Sequence, residues 1–249
     1  MPKVSVIICS HNREKLLPRA IDSVLNQSFK DFELIIIDDA SSDATQQLVK
    51  DYIQKDDRIR YFKNDHNLGI SKSRNRGCSL ARANYIAMLD SDDWWLKQDK
   101  LLKQVKLLDS KPMIGLVGTG IVLYDEKDNF IKEDIFESED KKIRRKILSK
   151  NQFAQSSVVF RKEAYLNAGS YNEEMIVCDD LALWLEIGLR YKLANLPEAL
   201  TAYLVNPEGI SKLEKIRLIK ETGSLIEKYK MNYPGYLKAK LKNFLRNFL

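Results

Sequence analysis

Between Lys3 and Leu89 the chain repeats one pattern: a short run rich in Val and Ile, then a stretch with apolar residues at helical spacing. Lys3–Ser10, Glu33–Ile37, Ile59–Lys63 and Asn84–Leu89 read as strands. Arg13–Gln27 carries a helical stripe of Leu16, Leu17, Ala20, Ile21, Val24 and Leu25. Ser41-Ser42-Asp43 supplies a helix start ahead of Leu48, Val49, Tyr52 and Ile53, and Ser71–Ala83 reads as a third helix. Strands that alternate with helices at this spacing are joined by crossovers, so they lie parallel in one sheet and wind right-handedly. The fold class is therefore α/β, with a Rossmann-like, mostly parallel sheet flanked by helices.

The rest of the chain is less regular. Leu96–Leu108 reads as a helix with Leu101, Leu102, Val105 and Leu108 on one face. Ile114–Tyr124, Phe130–Asp134, Ser156–Phe160 and Ala199–Val205 read as strands. Residues 140–150 read as a charged helix or a mobile loop, and helices are expected over Ala164–Tyr171 with a stop at Gly169, over Asp180–Tyr191, over 213–231 and after Pro234-Gly235. The composition shifts near residue 206. This divides the chain into a main domain, residues 1–206, and a basic, amphipathic helical tail, residues 207–249.

Charge supports that division. The net charge is +6, and no acidic residue follows Glu227. The tail's Lys228, Lys230, Lys238, Lys240, Lys242 and Arg246 equal that whole excess. The main domain is balanced, which argues against a nucleic-acid partner. No apolar run is long enough to span a bilayer, and Val4–Ile8 is too short for the core of a signal peptide. The cysteines Cys9, Cys78 and Cys178 are sparse and lack paired spacing, so a reducing, cytoplasmic compartment is expected.

The chemistry is concentrated where strands end. Tyr85-Ile86-Ala87-Met88-Leu89 runs straight into Asp90-Ser91-Asp92-Asp93, three carboxylates within four residues. A buried strand that delivers clustered carboxylates needs a positive partner, and a divalent cation with oxygen ligands is the simplest. Helix capping at Ser91 or Asp92 accounts for one acid, not three. Asp38-Asp39 ends the second strand in the same way, so both clusters should meet at one edge of a parallel sheet. Asn67–Gly77 places Lys72, Arg74 and Arg76 at a helix start, a position suited to phosphate. Lys72 and Arg76 also fit a solvated face; Arg74 is the one expected in the cleft. Asp179-Asp180 heads an apolar helix, where acids favour the dipole and where a general base could also stand.

Several site classes are excluded. The turn Ser10-His11-Asn12-Arg13 after the first strand has no glycine, which rules out a dinucleotide fingerprint. A P-loop is absent, and His11 and His66 lack zinc-ligand spacing.

In order, VSVIICSHNREKLLPRAIDSVLNQSF, ELIIIDDASSDAT, NLGISKSRNRG, YIAMLDSDDWW, SSVVFRKEAYLNAGSYNEE and DDLALWLEI resemble the segments of inverting family 2 glycosyltransferases of the GT-A fold, the bacterial type that builds capsule, lipopolysaccharide and related surface polysaccharides. The resemblance covers roughly residues 3–205. It implies a nucleotide-sugar-binding and catalytic domain. Asp39 and the backbone near Cys9 and His11 would hold the base of a uridine nucleotide. Lys72 and Arg74 would lie near the nucleotide and its diphosphate, and Asp90 toward the ribose. Asp92, with Asp93 close by, would hold Mn²⁺ or Mg²⁺, which would bridge the donor's phosphates. Asp180 would take the proton of the acceptor hydroxyl during one in-line displacement. Trp184 would be a packing residue.

The sequence departs from that pattern in places. Asp179 stands where Glu is common, Ala182 where an acid is common, and Glu186 where Arg is common. Val205-Asn206-Pro207 replaces a loop that often holds His. The Q-x-x-R-W of processive enzymes is missing, which implies transfer of a single sugar. The competing function is a nucleotide-sugar-binding protein of the same fold without catalysis.

In the tail, Leu237, Leu241, Phe244, Leu245, Phe248 and Leu249 share one helical face, ringed by Lys238, Lys240, Lys242 and Arg246. Such a helix suits the inner surface of a membrane carrying a lipid-linked glycan acceptor. It suits equally packing on its own domain or on a second copy in a homodimer.

Overall fold

The structure is a computed structural model that describes residues 1–206, 214–246 and 248. Four strands open the fold: β1 (Val4–Ser10), β2 (Phe32–Asp38), β3 (Ile59–Lys63) and β4 (Tyr85–Asp90). They are parallel, in the order β3-β2-β1-β4. β1 and β2 are buried along their whole length, which is why both are rich in Val and Ile, and their buried Ser5 and Glu33 bond each other at 2.7 Å. The register puts Ser10 opposite Asp38 and Cys9 opposite Asp90, so the acid-bearing ends of β2 and β4 share one edge with the end of β1.

Side chains alternate across the sheet and build two cores. Val6 and Ile8 join one with Leu17, Ala20, Ile21 and Val24 of α1 (Leu17–Leu25) and with Leu101, Val105 and Leu108 of α4 (Lys100–Ser110). The intervening helices are α2 (Thr45–Ile53) and α3 (Ile70–Leu80). Ile7 and Cys9 face the other core, beside Cys78 of α3. There α3 lies close against β1: a Cβ on Gly77 would come within 2.6 Å of the Ile7 side chain. Glycine lets α3 approach, and α3 carries Arg74.

The second half departs from the expected strands for identifiable reasons. Trp94–Trp95 forms β5, not the run-in to a helix, because it pairs with Ala202 and Thr201. The helix after it therefore starts at Lys100. Its buried face is Leu101, Gln104, Val105 and Leu108, and Leu102 is 47% exposed. Gln104 belongs in that core because its amide donates to the carbonyls of Val117 and Ser157, at 2.8 and 2.9 Å. Lys100 is buried too. Its amine donates to Gln104 at 2.8 Å and lies 4.1 Å from the Trp95 ring centre, and burial pushes its pKa well below the lysine range.

β6 (Ile114–Tyr124) and β7 (Phe130–Asp134) form the expected hairpin. The run at Ser156–Phe160 divides into a 3₁₀ turn (Gln155–Ser157) and β8 (Val159–Arg161). β9 (Lys192–Leu204) begins seven residues before Ala199. Pro197, which has no N–H, sits where its register with β6 slips between Leu196 and Ala199, so the strand passes the proline as a bulge. The full order is β3-β2-β1-β4-β8-β6-β9-β5, with β7 beside β6, a sheet of parallel and antiparallel pairs.

The remaining helices are α5 (Asp140–Lys146), α6 (Lys162–Asn167), α7 (Asp179–Arg190), α8 (Lys215–Lys228) and α9 (Tyr236–Leu245). The expected boundary at 206–207, Pro207 and the start of the expected 213–231 helix meet residues 207–213, outside the described residues. Beyond them, Leu225, Ile226, Tyr229, Tyr233 and Ala239 share a core with Trp184. Tyr233 donates to the carbonyl of Leu185 at 2.6 Å. The described positions of the expected apolar stripe, Leu237, Leu241, Phe244, Leu245 and Phe248, are all exposed, and Ala239, outside that stripe, is the residue that docks. Leu249 lies outside the described residues. Among the described residues no helix is long and apolar enough to cross a membrane.

Candidate active site

Asp90, at the end of β4, and Asp179, at the start of α7, are joined by Arg74 of α3. Its guanidinium donates to Asp179 Oδ2 at 2.7 Å and to Asp90 Oδ1 at 2.9 Å. Ser71 Oγ adds a bond to Asp179 at 3.1 Å. Burial alone would lower the Arg74 pKa, but the charges of Asp179 and Asp90 hold it well above its ordinary value. The residue expected beside the diphosphate is thus the cation that binds the two walls of the cleft together. Its Nε is buried and has no partner among the described residues. Lys72 is exposed on the same helix.

The aspartates that look equivalent in sequence separate in space. Asp38 is fully buried: it accepts from the Ser41 N–H at 2.8 Å and from the Tyr61 hydroxyl at 2.5 Å. It does not converge on the cleft; it secures the loop after β2. Asp39 accepts from Asn64 Nδ2 at 2.6 Å and from the N–H groups of Leu68 and Gly69 at 2.8 and 2.9 Å. It thereby holds the approach to α3. His11 is exposed, with Nδ1 2.7 Å from the Asp39 carbonyl oxygen. Cys9 is buried, and burial pushes its thiol pKa up, so its side chain is closed to a ligand. Asn12 and Ala40, at the ends of β1 and β2, both have positive φ, 52° and 60°. For Ala40 that is backbone strain, placed at the rim of the cleft.

Asp92 and Asp93 part in the same way. Asp93 is 2% exposed, accepts from Ser156 Oγ, and takes the Leu204 N–H at 2.9 Å. Both its oxygens face protein donors, so it links β4 to β9 and is not poised to ligate an ion arriving from solvent. Asp92 is half-buried and accepts no hydrogen bond from another described residue. Burial first, then the charge of Asp90, raise its pKa, and Arg13 pulls it back. Among the described residues no three His, Cys, Asp or Glu side chains gather as a ready metal cluster.

Asp180 stands on α7, one residue beyond the arginine-bound Asp179. Asn151 Nδ2 donates to its Oδ2 at 3.0 Å, and the Leu181 N–H to its Oδ1 at 2.6 Å. Burial first, then Asp179, push its pKa up to about 7, against the pull of Arg74. Tyr203 of β9 completes the group: burial first, then the charges of Asp93, Asp90, Asp92 and Asp180, push its phenol up. One half-exposed ring therefore senses all four acids. Tyr203, Asn151 and Ser156 escape sequence reasoning; the only signal is Tyr203's parity, an aromatic between buried Ala202 and Leu204. Trp184 is packing, as expected, in contact with the rings of Phe153, Phe160 and Tyr171. Glu221 of α8 accepts the N–H groups of Ile176, Val177 and Cys178, all at 3.1 Å, and so moors the segment leading into α7.

Through a divalent cation at the uncommitted Asp92 the strand ends can receive a phosphorylated donor, and the raised Asp180 carboxylate can take a proton nearby. Known proteins share this arrangement's frame. The chain matches the family described as Glycosyl transferase family 2 over residues 5–173. It is 34% identical to an uncharacterized glycosyltransferase of Methanocaldococcus jannaschii, over 87% of this chain and 76% of that protein. It is 30% identical to the Escherichia coli UDP-Glc:alpha-D-GlcNAc-diphosphoundecaprenol beta-1,3-glucosyltransferase WfaP, over 90% and 86%. S. aureus TarS 1-349 in complex with UDP-GlcNAc superposes with a TM-score of 0.75 at 18% identity, covering 99% of this chain and 72% of that one. Mannosyltransferase PcManGT from Pyrobaculum calidifontis, in complex with GDP-Man and Mn2+, gives 0.72 at 18%, covering 97% and 68%. With more than half its length inside the family's pattern and its sheet shared with those neighbours, the chain belongs to glycosyltransferase family 2 and is a transferase of GT-A fold.

Proposed function

We propose that the protein moves a single sugar from a UDP-sugar to a glycan or lipid-linked glycan acceptor, with inversion at the anomeric carbon. The observation that carries this reading is Asp180: a carboxylate raised to about 7, held by Asn151, at the cleft that Asp90 and Asp92 also line. A base tuned near neutrality takes a hydroxyl proton best at neutral pH. The acceptor oxygen forms its bond to the anomeric carbon as the bond to the UDP oxygen breaks, and the proton goes to Asp180. Arg74 holds Asp90 and Asp179 in place, so both walls are set before the donor arrives. The donor class is supported by the UDP-Glc in the name of WfaP and the UDP-GlcNAc bound to TarS.

The residues fit a divalent cation at Asp92. That carboxylate is half-buried, repelled by Asp90 and without a protein donor among the described residues. Its carboxylate offers oxygen, the ligand type that Mg²⁺ and Mn²⁺ prefer, and such ions take few protein ligands beside a diphosphate. When bound, the ion offsets the charge that develops on the departing UDP. Calorimetric titration tests the donor and the metal together. UDP should bind, Mn²⁺ should tighten it at least about tenfold, and Asp92→Asn should remove that gain. GDP should bind more weakly. No binding of UDP with or without Mn²⁺ would overturn the donor assignment.

The tail supports a membrane-borne acceptor. Lys150 of the α5–β8 connection, Lys238 and Arg246 lie close enough to Lys242 to lower its pKa, after burial. Beside them Leu237 and Leu241 are exposed. Cations around an apolar face suit anionic lipid. The full chain should co-sediment with phosphatidylglycerol vesicles, and the double variant Leu237→Glu, Leu241→Glu should stay in the supernatant. Equal pelleting of the two would remove the membrane from the reading.

A further inference from the structure

We propose that Asn151 is the positioning residue for the base: its side-chain amide fixes the plane of the Asp180 carboxylate. The inference rests on the reading of Asp180 as the base.

Asn151 lies in the connection between α5 and the 3₁₀ turn, far from α7 in sequence. Its Nδ2 donates to Asp180 Oδ2 at 3.0 Å. Its own Oδ1 accepts the Phe153 N–H at 3.1 Å. That local turn fixes which end of the amide faces Asp180: the oxygen is engaged by the backbone, so the donor points at the carboxylate. Phe153 is buried and its ring packs 6.3 Å from that of Trp184. Trp184 is four positions after Asp180, one turn along the same helix face. The segment that carries the amide is thus moored to the helix that carries the base.

Asp180 Oδ1 takes the Leu181 N–H. Each oxygen therefore has one fixed donor, and each keeps a lone pair for an incoming hydroxyl. A donor to the ionised form favours that form. The charged and titratable groups that act on Asp180 or are acted on by it are Asp179 and Cys178 on its own segment, Arg74 of α3, Asp90 of β4 and Tyr203 of β9. Two of these five are the aspartates already paired with Arg74, so an uncharged donor such as Asn151 is suited to hold the base without upsetting that pairing.

Two substitutions separate positioning from mere support of the loop. Asn151→Asp keeps the oxygen that receives the Phe153 N–H but turns the donor into a second carboxylate. Asn151→Ala removes both bonds. In both, donor KM should change less than about twofold, while kcat at pH 7 falls about tenfold for Asn151→Ala and about a hundredfold for Asn151→Asp. The acid limb of the kcat profile should move to higher pH in both, by about one unit or more for Asn151→Asp. UDP binding should match the wild type. A wild-type acid limb in every variant that folds overturns the proposal, provided Asp180→Asn is inactive. If Asp180→Asn is active, the reading of the base fails, not the contact with Asn151. Should Asn151→Asp not fold, the profile of Asn151→Ala decides alone.

Discussion

Asp180→Asn will lower transfer by about two to four orders of magnitude while UDP binding stays at the wild-type level, because a general base contributes that much and this one does not hold the nucleotide. Wild-type kcat should rise with pH through about 7, the value to which burial and Asp179 push Asp180. The same shift makes a stability prediction of opposite sign to the activity loss. A carboxyl raised from 3.8 to about 7 binds more protons folded than unfolded between those values. Its contribution to stability is full below 3.8 and is lost as pH rises to 7. Asp180→Asn has no such loss. At pH 8 it should be more stable than the wild type, by on the order of 1–2 kcal/mol for a partly solvated site. At pH 5 most of that advantage should vanish. Initial rates, UDP titration and thermal melts at the two pH values measure all three effects. A variant that is dead but more stable cannot owe its inactivity to misfolding. A variant with wild-type turnover would remove Asp180 as the base.

The parts of the fold that were legible are those whose physics is local. β1, β2 and β4 are buried on both faces, so their sequences are largely apolar, and parallel winding follows from the helical stretches between them. The edge where Asp39, Asp90 and Asp92 gather follows from that winding. β5 and β8 are only two and three residues long, and no period can be read from so few positions. β9 hid behind Pro197, which ends most strands but here sits in a bulge. Lys100 and Gln104 look like surface residues, and only the carbonyls and ring of distant elements admit them to the core.

At the site, sequence gave the clusters but not the division of labour within them. Asp38 and Asp39, or Asp92 and Asp93, are adjacent and chemically identical. What separates them are donors remote in the chain: Tyr61 for Asp38, Leu68 and Gly69 for Asp39, Ser156 and Leu204 for Asp93. The aspartate left without a donor is the one available to an ion. Asn151 and Tyr203 come from a loop and a strand end with no acid beside them, so nothing local marked them.

Arg74→Met should be the most destabilising single change in the cleft. The arginine joins two carboxylates that are themselves largely shielded from water: 5% side-chain exposure for Asp179 and 28% for Asp90. Removing one partner of a buried pair strands the other charge, which typically costs about 3–5 kcal/mol, a large share of the roughly 5–15 kcal/mol that holds a domain folded. Urea unfolding should show a midpoint well below that of the wild type. Arg74→Lys should fall between, since one ammonium cannot reproduce a planar fork that meets acids from β4 and α7 at 2.9 and 2.7 Å. Adding Asp179→Asn to Arg74→Met should recover part of the loss, because it removes one of the stranded charges. If Arg74→Met instead unfolds at the wild-type urea concentration, the two walls of the cleft are held by something other than this pair. The arginine would then return to the role its sequence suggested, that of a ligand for the donor's diphosphate.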